Sequence, residues 1–204
     1  MPIGDVTSDA RGTGARYNDG KPPLQYLAYA QVSSFLWRED AANAMHYLGM
    51  YQQFKKRVYL THLVDALYHD RHDALADAAR VFEFGAKKYA AWNWAKGMPW
   101  SVPMACIARH ILAIDREEEY DPESGLSHRA HVVCNVLMLH HYALYYPEGD
   151  DLPKVELFQE SQPAEEPSWE PSWEDEPEDE PEDEPEDKPD FVIVAGCPVP
   201  VSEL

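Results

Sequence analysis

Long apolar runs are missing from the 204-residue sequence, and none approaches the ~20 residues that a membrane-spanning helix needs. The opening residues, MPIGDVTSDARG, are polar and acidic, without the apolar core of a signal peptide. Only three cysteines occur, with no C-x-x-C spacing. Cys106 and Cys134 lie in apolar helical patterns, where a buried reduced thiol is expected. These absences predict a cytoplasmic protein with no membrane partner.

Basic residues are also few, with 17 Lys and Arg against 37 Asp and Glu. The imbalance is concentrated in residues 151–204, which hold 19 of the acidic and 2 of the basic side chains. The rest of the chain is close to neutral, so it has no broad basic surface. This argues against stable binding of DNA or RNA.

The composition divides the chain into three parts. Residues 1–24 are rich in glycine and predict an irregular arm, and residues 25–150 predict an all-α domain. Residues 151–204 form an acidic, proline-rich tail of low complexity, which we expect to be disordered because it cannot bury enough apolar surface. The tail is expected to keep the protein soluble or to mimic nucleic acid. Its apolar end, FVIVAGCPVPV, allows an edge strand, docking on the core, or neither.

The apolar residues between the arm and the tail recur with helical spacing, and period-two alternation is absent there. Asp73, Ser101 and Ser127 are candidate N-terminal caps. Pro147 and Gly149 end the last helical pattern. The prediction is an all-α bundle of antiparallel helices, with helical segments at residues 39–57, 73–91, 101–119 and 128–146.

Acidic residues cluster near the end of the third predicted helix. Asp115, Glu118 and Glu119 have i, i+3, i+4 spacing and would share one face. Three carboxylates are unfavourable at the C-terminus of a helix, where the helix dipole favours cations. Either a metal ion or a basic side chain such as Arg116 would offset that cost.

Histidines stand at the start of the fourth predicted helix. His128, His131 and Asn135 fall on one face, and two histidines one turn apart can share a metal ion. The connecting turn, DPESG, is short, so the acidic end of the third helix must lie beside them. A structural histidine pair and a metal site remain equally open at this point.

Charged residues of the second predicted helix could form ion pairs on its surface or belong to a functional site. Glu83 sits four residues before Lys87, so the two form either a simple helical ion pair or part of a site. Lys87 and Lys88 are also candidates to face a triphosphate. In the arm, the glycines of GTGARYNDGK allow backbone amides to approach an anion, with Arg16 and Lys21 as charged partners.

Four blocks in this order, GARYNDGKPPL, ARVFEFGAKKYAAWNWAKGMPW, RHILAI and DPESGLSHRAHVVCN, resemble the phage dATP/dGTP diphosphohydrolases, which are MazG-like enzymes of the MazZ type. The resemblance covers residues 14–27 and about 74–145. Residues 28–72 have no counterpart in this pattern, and we interpret them as an inserted helix.

The resemblance implies an all-α nucleotide pyrophosphohydrolase that converts dGTP and dATP to monophosphate and pyrophosphate. It also implies a phage enzyme, in the host cytoplasm, that feeds the synthesis of a modified purine nucleotide, diaminopurine. MazG enzymes hold magnesium with E-x-x-E and E-x-x-D, and here His128-x-x-His131 takes the place of the second motif. Imidazole shifts the preference among divalent ions toward manganese, cobalt or zinc. A dimer or tetramer is expected.

The resulting hypothesis assigns three groups of residues. The catalytic groups are His110 and Glu118. The metal ligands are Glu83, Glu118, Asp121, His128 and His131. The substrate-binding residues are Arg16, Asn18, Lys21, Lys87, Lys88, Trp92, Asn93 and Trp94, in which the cations neutralise phosphates, a tryptophan stacks on the purine and an asparagine reads the base edge.

Two other functions stay open. His69-Asp70 and His72-Asp73 are similar to the ligands of HD-type phosphohydrolases, which release intact triphosphate. Alternatively, the helical part is a non-catalytic module whose acidic tail acts as a nucleic-acid decoy.

Overall fold

The computed structural model describes residues 2–18, 20–154, 157, 191–194 and 197–200. Residues 1–160 form one compact unit and residues 161–204 a second. The described part of the first unit contains two short strands that pair antiparallel, β1 (Pro2–Ile3) and β2 (Arg16–Tyr17). Its α-helices are α1 (Tyr29–Val32), α2 (Glu39–Phe54), α3 (Val58–Leu67), α4 (Arg71–Lys88), α5 (Ser101–Asp115) and α6 (His128–Tyr145). The all-α prediction is confirmed.

Helices α5 and α6 form the centre of the bundle and pack against each other. Ile107 and Ile111 of α5 and Leu139 of α6 are fully buried. Helix α2 covers α5, while α3 and α4 cover α6. Burial on nearly all sides explains why the sequence of α5 and α6 is apolar around most of the helix circumference. None of the helices in the described residues has both the length and the apolar character needed to span a membrane.

The predicted segment at residues 39–57 ends early, and a helix that was not predicted follows it. Lys55 adopts the left-handed conformation (φ 56°) and ends α2, and α3 begins three residues later at Val58. Helix α4 begins at Arg71, because the Asp70 carboxylate accepts a 2.7 Å hydrogen bond from the His72 amide. Asp70 therefore caps this helix, and the prediction of Asp73 as the cap was wrong.

Of the two remaining caps, Ser127 is confirmed, since its hydroxyl accepts a 3.2 Å hydrogen bond from the Arg129 amide. Ser101 is the first residue of α5 rather than its cap. Its amide and hydroxyl both donate to the carboxylate of Asp151, at 2.8 and 2.5 Å. A carboxylate 50 residues away in sequence thus takes the role predicted for the local serine.

In the second unit, two described strands, β3 (Phe191–Val194) and β4 (Cys197–Pro200), pair antiparallel with each other. The apolar end of the tail therefore forms strands, which is one of the three arrangements that the sequence allowed. The predicted disorder of the acidic repeats falls outside the described residues.

Two helical glycines allow a matched test of the packing. A Cβ on Gly49 of α2 would lie 2.2 Å from the Ala30 nitrogen of α1, whereas a Cβ on Gly85 of α4 would meet no atom within 4 Å. We expect Gly49→Ala to lower the free energy of unfolding by about 1–3 kcal/mol through overpacking. Gly85→Ala should raise it by about 0.5–1 kcal/mol through helix propensity. Urea denaturation measures both, and equal shifts would contradict the close approach of α1 and α2.

Candidate active site

Three histidines meet where the end of α5 lies beside the start of α6. The Nδ1 atoms of His110 and His128 are 2.8 Å apart. The ring of His110 also stacks on that of His131, with centroids 4.5 Å apart and planes 19° from parallel. His128 and His131 share one face of α6 because they are one turn apart, as the sequence predicted.

A carboxylate from the connecting turn completes this cluster. Ligand atoms of His110, Asp121 and His128 all lie within 4.8 Å of one another, and Asp121 Oδ2 is 3.8 Å from His131 Nε2. The turn fixes Asp121, since the Ser124 amide and hydroxyl each donate a 2.9 Å hydrogen bond to its carboxylate. The Ser124 hydroxyl is also 2.7 Å from His131 Nε2. The sequence predicted Asp121, but not the bridging role of Ser124.

Burial determines the protonation of these groups. It lowers the pKa of His110 well below the ordinary value, and the neighbouring His131 and His128 lower it further. The pKa values of His128 and His131 are also lowered, mainly by burial. Burial acts to raise the pKa of Asp121, but the hydrogen bonds from Ser124 outweigh it and the net shift is downward. At neutral pH the cluster therefore presents neutral imidazoles and a carboxylate, the forms that bind metal ions.

One nitrogen of the cluster makes no hydrogen bond to any described residue. His128 is 4% exposed, and its buried Nε2 makes no hydrogen bond. Its nearest ion-pair partner is Glu118, whose Oε2 is 4.0 Å away. A buried polar atom without a partner is unfavourable, so a bound ion or water at this point would stabilise the site.

The predicted acidic face of α5 does not form. The helix ends at Asp115, and Glu117 adopts a left-handed conformation (φ 62°), so Asp115, Glu118 and Glu119 do not share a helical face. The Asp115 carboxylate instead accepts hydrogen bonds from the amides of Trp37 and Arg38, at 2.8 and 2.9 Å. Glu118 is half exposed and accepts a 2.8 Å bond from Arg116 Nε, which is the basic side chain considered from sequence as the alternative to a metal.

Glu83 lies on the exposed side of α4. Its carboxylate pairs with Lys87 Nζ at 2.8 Å, and both side chains are mostly exposed. The structure therefore supports the helical ion pair for these two residues. A metal role for Glu83 and a phosphate role for Lys87 stay predictions, and neither residue lines the described pocket beside the histidines.

A pocket of about 100 Å³, partly open to solvent, adjoins the histidine cluster. It lies between the arm, α4, the loop after α4 and α6. Asp121 and His131 form its boundary with the cluster. Of the predicted substrate-binding residues, those that line it are Arg16, Lys21, Lys88, Trp92, Asn93 and Trp94. Its apolar walls, which the sequence did not assign to a site, include Val81, Phe82, Phe84, Tyr89, Met98 and Met138.

Asn93 holds the arm in place and does not present a free amide to the pocket. Its side chain is 4% exposed, donates to the Ala15 carbonyl and accepts from the Ala15 amide, both at 3.0 Å. Both ends of this amide pair with the backbone, which leaves less of it to read a base edge, and that role stays a prediction. Asn18, the other candidate for this role, contacts Arg109 at 3.4 Å.

The two predicted tryptophans occupy different positions. Trp92 is 73% exposed and has a left-handed backbone conformation (φ 61°) at the edge of the pocket. Trp94 packs against Phe82, with centroids 5.0 Å apart, and forms part of the wall. Lys88 pairs with Glu123 and lies over the rings of Tyr17 and Tyr89.

Comparisons with known proteins support the resemblance noted from the sequence. A family model described as "dATP/dGTP diphosphohydrolase, N-terminal" matches residues 50–152. The chain is also similar to a dATP/dGTP diphosphohydrolase of Salmonella phage PMBT28, at 29% identity over 75 residues, which are 37% of this chain and 26% of that relative. The chain thus spans about a quarter of the relative's length. No solved structure matches.

The family match also corrects one boundary. Residues 50–72, interpreted from sequence as part of an insertion, fall within the matched region, while the arm falls before it. All three histidines and Asp121 are within the match. Because the match covers half of the 204 residues, the chain belongs to the dATP/dGTP diphosphohydrolase N-terminal family.

Proposed function

We propose that this chain hydrolyses dATP and dGTP to the corresponding monophosphates and pyrophosphate. The observation that carries the proposal is the position of three imidazoles and a carboxylate at the boundary of a pocket with cationic and aromatic walls. The printed function of the phage relative supports the same substrates. A role in supplying diaminopurine nucleotide synthesis, a cytoplasmic location and a dimeric or tetrameric assembly remain predictions.

The residues present fit a divalent cation. His110, Asp121 and His128 each offer a possible ligand atom within 4.8 Å of the others, and the buried His128 Nε2 has no hydrogen-bond partner among the described residues. Asp121 supplies the carboxylate, and His131 lies beside Asp121, with Nε2 3.8 Å from its Oδ2. A donor set rich in imidazole favours manganese, cobalt or zinc over magnesium. We therefore assign His110 to the ion rather than to proton transfer.

When bound, the ion would polarise the α-phosphoryl group and lower the pKa of a water molecule. The protein's own part is to hold the nucleotide beside it. Arg16 and Lys21 neutralise the phosphates, and Lys88 would join them on leaving Glu123. Glu118 is the remaining carboxylate near His128, and we assign it to accept the proton from water.

The apolar part of the pocket is assigned to the purine. Phe82 and Trp94 form one wall and exclude water, and Trp92 at the edge is free to stack on the base. Aromatic contacts of this kind discriminate the larger purine rings from pyrimidines through contact area rather than through hydrogen bonds to the base edge.

The HD-type alternative has less support. His69, Asp70, His72 and Asp73 are all exposed, and His72 Nδ1 contacts only the capping Asp70, at 3.2 Å. These residues do not line the described pocket beside the histidine cluster. Their arrangement is explained by the N-terminal cap of α4, in which Asp70 accepts a hydrogen bond from the His72 amide.

The proposal is tested with dATP, dGTP, dCTP and dTTP, each supplied with magnesium, manganese, cobalt or zinc, and with products identified by phosphorus NMR. We expect monophosphate and pyrophosphate from the two purine nucleotides, with faster turnover in manganese or cobalt than in magnesium. Intact triphosphate plus nucleoside would favour the HD-type reaction. No turnover with any ion would contradict the enzymatic proposal.

A further inference from the structure

A second group of charged residues lies on the arm side of the histidine cluster and centres on Cys106. Arg109, one turn after Cys106 on α5, places Nη2 2.8 Å from the thiol sulfur. Arg16 also contacts this thiol, and its Nη2 donates a 2.8 Å hydrogen bond to Asn135. Lys21 is close enough for repulsion from both arginines to lower its pKa, although burial is the larger cause.

These cations differ from most others in the described residues, because no carboxylate there pairs with them. Arg16, Lys21 and Arg109 form no ion pair with a described Asp or Glu. The hydrogen-bond partners of the two arginines are a thiol and neutral amides, and the Glu123 charge acts on Lys21 only from a greater distance. Each of the following has a carboxylate within ion-pair distance: Arg11, Arg38, Lys55, Arg71, Arg80, Lys87, Lys88, Lys96, Arg116 and Arg129.

Three cations in a partly buried region repel one another unless an anion joins them. The Cys106 thiol, which can ionise to a thiolate, partly offsets this repulsion. Burial acts to raise its pKa, yet Arg16 and Arg109 reverse the effect and lower it, which shows how positive the surroundings are. Cys134, also beside Arg16, has its pKa raised to about 12 by burial and stays neutral.

We propose that Arg109 joins Arg16 and Lys21 to form a subsite for the β- and γ-phosphates, which leave as pyrophosphate. The inference rests on the proposed function and adds a residue to it. Arg109 contacts Asn18, which lies between Arg16 and Lys21 on the arm, and Arg16 contacts Asn135, one turn after His131 on α6. Arg16 and Lys21 share the pocket lining with Asp121 and His131. The Cys106 thiol keeps the two guanidinium groups oriented when no phosphate is bound.

The test is calorimetric titration of the full chain with inorganic pyrophosphate in the presence of a chelator, so that neither turnover nor a metal ion contributes. We expect Arg109→Gln to weaken binding by about tenfold or more, since a charge-assisted hydrogen bond is lost. Arg109→Lys should bind with intermediate affinity, because it keeps the charge without the planar pair of donors. Arg80→Gln is the matched control on the exposed face of α4 and should bind as the unchanged chain does.

Equal affinity in Arg109→Gln and in the unchanged chain would overturn the proposal, as would an unchanged chain that does not bind pyrophosphate. If Arg109→Gln fails to fold by circular dichroism, the Arg109→Lys variant decides the question: pyrophosphate affinity equal to that of the unchanged chain would then overturn the proposal. Failure of the unchanged chain to hydrolyse any nucleotide would overturn the proposed function separately, since the titration requires no turnover.

Discussion

His128→Ala is expected to abolish pyrophosphate release from dGTP, with a fall in kcat/KM of at least about 10³-fold, because a bound cation contributes several kcal/mol to such reactions. The substitution removes both the buried Nε2, which has no hydrogen-bond partner among the described residues, and the Nδ1 that faces His110. The same variant should lose the visible absorption of bound cobalt. Both readouts are needed, since activity alone does not separate ion binding from substrate binding.

Two further variants make this test specific. Asp121→Asn keeps the size of the side chain and removes its charge, and it should also lose both ion binding and activity. His69→Ala removes an exposed histidine before α4 and should change neither. Full activity in His128→Ala and Asp121→Asn, with the fold intact by circular dichroism, would remove the proposed centre.

Asn93→Ala should detach the arm and lower kcat/KM by about 10²-fold, since losing the contacts of the two cations that we propose bind phosphate costs about 3 kcal/mol. The substitution deprives the Ala15 amide and carbonyl of their partner. The arm carries Arg16 and Lys21, so the loss should appear mainly as a higher KM. Limited trypsin digestion gives a second readout, because a detached arm exposes the bonds after these two residues.

Asn43→Ala is the control, because Asn43 is an exposed asparagine on α2. Its kinetics and digestion pattern should match those of the unchanged chain. If the Asn93→Ala variant is cleaved slowly after Arg16 and has a normal KM, the prediction is wrong. The remaining backbone contacts would then be enough to hold the arm in place. Those backbone contacts are Gly12 to Lys96, at 2.6 Å, and Gly14 to Gly97, at 2.8 Å, and side-chain bonds such as Arg16 to Asn135, at 2.8 Å, add to them.

Local signals predicted the helical part of the fold well. Helix α6 begins after Ser127 because the serine caps it, and it ends where Pro147 follows, both of which can be seen in the sequence. Helix α3 was missed because the break before it is a left-handed Lys55, a conformation that nothing in the lysine side chain indicates. The end of α5 was also missed, since Asp115 is recruited by the amides of Trp37 and Arg38 near the start of α2.

In the candidate site too, local spacing predicted some residues correctly, while roles that depend on distant partners were missed. The spacing of His128 and His131 and the short turn after Asp121 placed these residues together, because helical period and chain length determine both. The exposure of Glu83 was not predicted, because the sequence does not show which helix face meets α6 and which meets solvent. The role of Asn93 depends on Ala15, 78 residues away in sequence, and no local pattern encodes such a pairing.

The attachment of the arm has a consequence for biosynthesis. Residues 12–16 leave the ribosome long before their partners at positions 93–97, since Ala15 and Asn93 are separated by 78 residues. At the usual rates of translation, the arm remains unpaired for about 4–16 s. Arg11 remains unpaired for longer, because its partner Glu148 is 137 residues away in sequence. The arm, which carries two of the cations proposed to bind phosphate, is therefore made before the residues that hold it in place.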